Sequence, residues 1–454
     1  MRRVLRRHKL LITVVAVLLI VPVACGDDDE TATTTASSTT ASSTPTGEPI
    51  VIAASLPLTG DFSTSAIKHR DGYQLCVDEI NERGGLLGRP VELLVEDNRS
   101  DTEVAVTQYE RFFSSGDVDA VFGTFAGLLN YPTSTVAERE GWVYPIPSGT
   151  PLKIYSRGYE YIFNFQQGAA EEVGYTAVDA LLYYRDQGLI APEDFPTKAA
   201  VVSSDDLFPF SAVNGLLGGT ISVPDMDLEI SLAPGPLAEA GIDVVYQQTW
   251  PLGEFTDWIG LANAIAASGA DSVFAGMASL DETASLIEAF ATVQYQPKFL
   301  YMSQGAQSEL HDSIGDLING LTVHTAWHPS ANFEGTLAGQ PYSVADFIAD
   351  FTAVHGRAPD EDEAIPFAVC QGLEQAISGV GAVDQAAMKD WLHARTAADP
   401  VKTVLGDFYW DERGLPPGRN YLLTQWQNGE LKMVFPIGEF PGTVDLQYPK
   451  PEWP

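Results

Sequence analysis

His324 and His328 stand four residues apart with Trp327 between them, and such a pair could begin a metal site. Only two ligands are in view and the run begins as a strand, so ordinary polar roles are expected and no metal is predicted. His-Glu-x-x-His, P-loop, Gly-x-Ser-x-Gly and Gly-x-Gly-x-x-Gly patterns do not occur. Asp and Glu are abundant, but spacing singles out no pair for acid–base work. The chain therefore reads as a non-enzyme without a cofactor. A secreted hydrolase with a dispersed triad is one rival.

The cysteines Cys25, Cys76 and Cys370 carry the other reactive groups. Arg2, Arg3, Arg6, Arg7 and Lys9 precede an apolar run from Leu10 to Ala24, which marks residues 1–24 as a secretion signal. The run is shorter than the ~20 apolar residues of a spanning helix and contains Pro22. Ala24-Cys25 resembles a bacterial lipobox, with Pro22 and Val23 in place of the usual Leu and small residue. Cys25 is thus expected to be lipidated, making membrane attachment by lipid only. Residues 25–48, acidic from Asp27 to Glu30 and then rich in Thr, Ser and Ala, are predicted to be a disordered tether. Cys76 and Cys370 remain as an even pair in an oxidising compartment, either bonded or as two buried thiols.

The apolar fraction of 45% makes the body globular, and 61 acidic against 25 basic residues give a net charge of −36. Nucleic acid is excluded as a partner on that charge. Roughly 400 residues from Pro49 onward are too many for one core and suit two lobes.

Short apolar runs at 50–54, 91–95, 118–122, 199–202, 271–275 and 298–301 alternate with helical patterns, the rhythm of parallel α/β sheets. Gly72, Leu75, Cys76 and Ile80 form one apolar stripe on a helix that should stop at Asn81-Glu82-Arg83-Gly84-Gly85. The Gly- and Pro-rich stretch from Gly215 to Pro236 is expected to be an irregular surface insertion.

Three ordered segments carry a family resemblance: Ala54-Ser55-Leu56-Pro57-Leu58-Thr59-Gly60; Gly72 to Cys76 with Asp78 to Gly88; and Gly406-Asp407-Phe408-Tyr409-Trp410-Asp411-Glu412-Arg413-Gly414. They resemble the type I periplasmic binding proteins of the branched-chain amino acid (Liv-type) transport group, over nearly the whole body from Ile50 to Trp426. The resemblance implies two Rossmann-like α/β lobes joined by a three-strand hinge, with crossings near 163–166, 326 and 409–411. Lobe 1 would comprise 50–165 with 327–410, and lobe 2 would comprise 166–326 with 411–454. The ligand would sit between them at strand C-termini.

By position in that family, Ser148 and Thr150 of Pro147-Ser148-Gly149-Thr150-Pro151 offer a carbonyl and a hydroxyl to the ligand, and Gly127 keeps a backbone donor where relatives carry Ser. In lobe 2, Phe208 stands where relatives have Tyr and Met277 where they often have an aromatic. Gln304 replaces a Glu that meets the ligand ammonium. A neutral amide does not balance a buried cation, so an amide or partly apolar organic acid is expected. Asp206 or Asp281, on neighbouring loops, could substitute for that Glu, but both are read as solvated loop acids. The implied function is a monomeric solute-binding lipoprotein serving an ABC permease and its ATPase. The other rival is a sensor subunit, which would carry a spanning helix and signalling domain of its own; neither is expected here.

Overall fold

The computed structural model describes residues 44–418 and 420–454; the signal, Cys25 and most of the expected tether lie outside them. The strand Ile50–Leu56 is apolar on both faces, which suits a central parallel strand covered from both sides. It lies between Val91–Asp97 and Ala120–Val121 and runs parallel to both. Tyr144–Ile146 and Ile162–Asn164 pair in parallel beside them, tied on by the Gly123 N–H donating to the Pro145 carbonyl at 3.0 Å.

A second sheet has seven strands, in the order Glu430–Phe435, Leu422–Gln427, Leu321–Thr325, Phe299–Met302, Ser272–Gly276, Lys198–Ser204, Asp243–Trp250. The first two form an antiparallel hairpin laid antiparallel against Leu321–Thr325, and the rest are parallel. One core cluster draws mainly on residues 50–165 and 326–421, and two others cover the faces of the second sheet. Three chain segments meet between the sheets: the Trp410 indole N–H donates to the Asn164 carbonyl at 2.7 Å, and the Gln167 amide donates to the Ala326 carbonyl at 2.7 Å.

The helix Ser63–Glu82 stops at Arg83, followed by Gly84 and Gly85 at φ 105° and 77°, values that glycine alone adopts without strain. Alongside it packs Glu361–Val380, which starts in a capping box made by Asp360 and Glu363. At the closest approach a Cβ on Gly72 would lie 2.3 Å from the Glu363 carbonyl oxygen. One turn along, Cys76 and Cys370 are joined as a disulfide, with Cα atoms 6.3 Å apart and a sequence separation of 294.

Two expectations need correction. The tether does not stay disordered as far as residue 48: the Thr46 N–H donates to the Gly88 carbonyl at 2.9 Å, and Arg89 Nε donates to the Glu48 carbonyl at 2.8 Å. The stretch from Gly215 to Pro236 is not irregular. The helix Leu207–Leu217 ends on Gly218 at φ 67°, and Thr220–Val223 then pairs antiparallel with Leu228–Ser231. Alternation explains this, since Ile221 and Val223 are buried while Thr220 and Ser222 are exposed. At the tip, Asp225 accepts a hydrogen bond from the Tyr131 hydroxyl at 3.3 Å. No helix among the described residues is long and apolar enough to cross a membrane.

Candidate ligand-binding site

Strand C-termini of both sheets converge on one place, the position that open α/β sheets use for ligands. The loops after Ala120–Val121 and Tyr144–Ile146 come from one side. Those after Lys198–Ser204, Ser272–Gly276 and Phe299–Met302 come from the other, joined by the end of Leu321–Thr325 and the start of helix Glu361–Val380. They enclose a cavity of about 50 Å³ whose wall includes Phe62, Phe125, Ser148, Asp206, Phe208, Gln304, His324, Glu361, Asp362 and Tyr421. A larger cavity, about 780 Å³, is lined by Glu172, Tyr175, Asp179, Arg413 and Phe435. Its wall holds none of the loops that follow the parallel strands Lys198–Ser204, Ser272–Gly276 and Phe299–Met302, so the smaller cavity is the better candidate despite its size.

The loops from the first sheet are pinned from behind. Asn130, buried on helix Gly127–Glu140, donates through one amide to the carbonyls of Thr124 and Ser148, both at 2.9 Å, and accepts from the Tyr144 hydroxyl at 3.0 Å. Ser148 Oγ accepts from the Ala126 N–H at 3.2 Å, and Ala126 is held at φ 71°. A non-glycine residue there is strained, and strain of this kind persists where the surroundings over-determine the backbone.

Of the residues singled out in the sequence, Ser148, Phe208 and Gln304 line the cavity, whereas Gly127, Thr150 and Met277 do not. Gly127 is packed under Gly149, on which a Cβ would lie 2.0 Å from the Gly127 nitrogen. The Thr150 hydroxyl donates to the Gly168 carbonyl at 3.0 Å, joining the two hinge-side loops. Met277 is wholly buried in the core of the second sheet, while its N–H donates to Ser303 Oγ at 2.9 Å; its neighbour Ala278 reaches the cavity. Asp281 borders a separate small cavity. Asp206 is no solvated loop acid: it is 6% exposed, and its Oδ1 caps helix Leu207–Leu217 by accepting from the Phe208 N–H at 3.2 Å.

Sequence reasoning missed His324, Glu361, Asp362 and Tyr421 as wall residues. His324 is 8% exposed and shares a hydrogen bond between Nδ1 and the Tyr301 hydroxyl at 2.9 Å; burial pushes its pKa down to about 3, so the ring is neutral. Glu361 accepts from the Thr325 hydroxyl at 2.6 Å and the Ala326 N–H at 3.0 Å. Its open surface faces this cavity and a neighbouring one of about 330 Å³. Burial raises its carboxyl to about 8, with Asp362 adding to the rise. Burial likewise raises Asp206 to about 6 against the pull of the backbone N–H groups of Phe208 and Leu207. Asp362 accepts from the Gln307 amide at 2.9 Å. Outside the wall, Lys68 pairs with Asp360 at 2.5 Å and Glu309 at 2.7 Å, linking the two sides of the cleft. In the sequence Glu361 and Asp362 look like ordinary acids of a helix first turn, which hid them.

The model of the family described as periplasmic binding protein matches residues 49–216 and 235–430, leaving out the hairpin. An amino acid binding protein of Pseudomonas aeruginosa is 23% identical over 84% of this chain and 90% of its own length. A leucine binding protein from Thermotoga maritima superposes with a TM-score of 0.67 at 18% identity, covering 85% of this chain and 97% of that one. An ABC transporter solute binding protein from R. palustris in complex with benzoate gives 0.68 at 16% identity, covering 89% and 98%. With most of its length matched by that model, the chain belongs to the periplasmic binding protein family.

Proposed function

We propose that the protein is an extracytoplasmic solute receptor, tethered to the membrane through a lipidated Cys25, that captures a small molecule between two lobes and delivers it as a monomer to an ABC permease and its ATPase. Lobe 1 is taken as 50–165 with 327–410 and lobe 2 as 166–326 with 411–454. The observation that carries the reading is the cavity itself: strand-end loops of two separate sheets, with three joining segments beside it, line one site, which closure of the lobes about those segments would seal around a ligand. Family membership and the relatives' amino acid, leucine and benzoate ligands support solute capture. Ser148, Phe208 and Gln304 are the proposed ligand contacts among the residues first singled out.

A thermal-shift screen of the purified body against amino acids, amides, organic acids and amines tests this, because a ligand that binds only the folded state raises the apparent melting temperature by mass action. A compound that raises it should also shrink the radius of gyration in solution scattering as the lobes close. Failure of every compound class to shift melting would refute the receptor reading.

A further inference from the structure

The wall of the cavity is unbalanced in charge. Among its described residues are the carboxyls of Asp206, Glu361 and Asp362, and neither Lys nor Arg. The nearby cation Lys68 is engaged by Asp360 and Glu309 outside the wall, and Asp362 is held by Gln307. Asp206, more than nine-tenths buried, leaves Oδ2 without a hydrogen-bond partner. A buried polar atom left unpaired is destabilising, more so when charged, so such an atom at the edge of a cavity is a place prepared for a donor. Beside the neutral polar groups of Ser148, Gln166, Ser303, Gln304 and His324, the wall carries the aromatic rings of Phe62, Phe125, Phe208 and Tyr421, with Phe62 and Phe125 in contact at a centroid distance of 6.1 Å. Aromatic faces and carboxylates together favour an organic cation.

Two backbone donors of the loops are closed to a ligand carboxylate: the Gly127 nitrogen lies beneath Gly149, and the Ala126 N–H is already given to Ser148 Oγ. A ligand carboxylate would also meet Asp206, whose carboxyl, raised only to about 6, stays ionised at neutral pH.

Resting on the receptor reading above, we propose that the cavity takes a small aliphatic amine without a carboxylate of its own, its ammonium held between Asp206 and Glu361 and its hydrocarbon part against Phe62, Phe125 and Phe208. Gln304 then contributes an amide oxygen as acceptor rather than serving a neutral ligand.

Calorimetry with four probes of one carbon skeleton separates the possibilities: 3-methylbutan-1-amine, 3-methylbutanoate, 3-methylbutanamide and valine. The amine should bind more tightly than each of the others by about tenfold or more, the scale of a desolvated charge pair. Asp206→Asn keeps the cap acceptor and removes the charge, so it should weaken the amine by about tenfold at unchanged circular dichroism. Glu361→Gln should act in the same direction and stands in if the first variant does not fold. Tighter binding of valine, the carboxylate or the amide overturns the proposal and leaves the receptor reading intact. Binding of none of the four while another compound shifts melting in the wider screen also overturns it; silence in both experiments removes the receptor reading as well.

Discussion

Replacing Gly72 by alanine tests whether the two long helices are in van der Waals contact through a residue with no side chain. The added Cβ would lie 2.3 Å from the Glu363 carbonyl oxygen, 2.7 Å from Pro366 Cγ and 3.0 Å from the Glu363 carbonyl carbon. Two of these atoms are backbone within a helix and do not swing away, so the helices must part by about 1 Å to restore an ordinary contact near 3.5 Å. The Cys76–Cys370 bond one turn further on restrains that parting. Overpacking of this kind costs about 1–3 kcal/mol. Alanine returns about 0.5–1 kcal/mol through its better helix propensity, leaving a net loss of about 1–2 kcal/mol. With roughly 2 cal/mol/K of unfolding entropy per residue over roughly 400 residues, melting should fall by about 1–3 °C, and the urea midpoint should fall with it. Glu361 and Asp362 head the displaced helix, so ligand affinity should fall too. A Gly72→Ala protein that melts at or above the parent temperature would refute the reasoning, because propensity alone predicts a gain.

The other expectations are distinct in kind. Intact-mass analysis of the membrane fraction should show Cys25 acylated at the mature N-terminus, and Cys25→Ser should release the protein; a mature chain starting elsewhere without acyl mass would count against it. The ligand-free protein should lose stability as pH rises through about 8 on account of Glu361: its folded pKa exceeds the unfolded value of 4.5, so that contribution is fully present below 4.5 and lost above 8. Asp360 and Asp362 on its own helix, with Tyr301, His324 and Tyr421 opposite, surround that carboxyl, and Glu361→Gln should flatten this part of the urea-midpoint profile. Tyr131→Phe removes the hydroxyl that meets Asp225 and should speed ligand release by a few-fold in stopped flow while leaving melting within about 1 °C, as expected for an exposed hydrogen bond; an unchanged release rate would exclude the hairpin from closure.

Much of the frame was legible because it rests on local rules. The runs at 50–54, 91–95, 199–202, 271–275 and 298–301 are strands, and the Gly84-Gly85 helix stop stands where capping chemistry puts it. The edge strand Asp243–Trp250 was not read, because Val245 faces outward and Gln248 inward, which breaks the apolar alternation that marks a strand. The hairpin after Gly218 was masked by its Gly and Pro content, although Ile221 and Val223 alternate as a strand should. At the site, sequence position found the loops and missed what faces inward from them. Thr150 and Met277 lie on the expected loops, but the hydroxyl of one is engaged by Gly168 and the side chain of the other belongs to the core. The acids were present in the sequence all along; only the approach of helix Glu361–Val380 to the loop of Asp206 shows that they share one space.

The bond between Cys76 and Cys370 also sets how the molecule carries mechanical load. A pull between the two ends of the chain passes from Cys76 directly to Cys370, so residues 77–369 bear no tension while the bond is intact. Five of the seven strands of the second sheet lie in that shielded span. The hairpin Leu422–Gln427 and Glu430–Phe435 lies outside it, docked on Leu321–Thr325 at the sheet edge, and would peel away strand by strand as the first part to yield. Tension on the chain ends would thus fray the rim of the sheet and leave the loops after Lys198–Ser204, Ser272–Gly276 and Phe299–Met302 without strain.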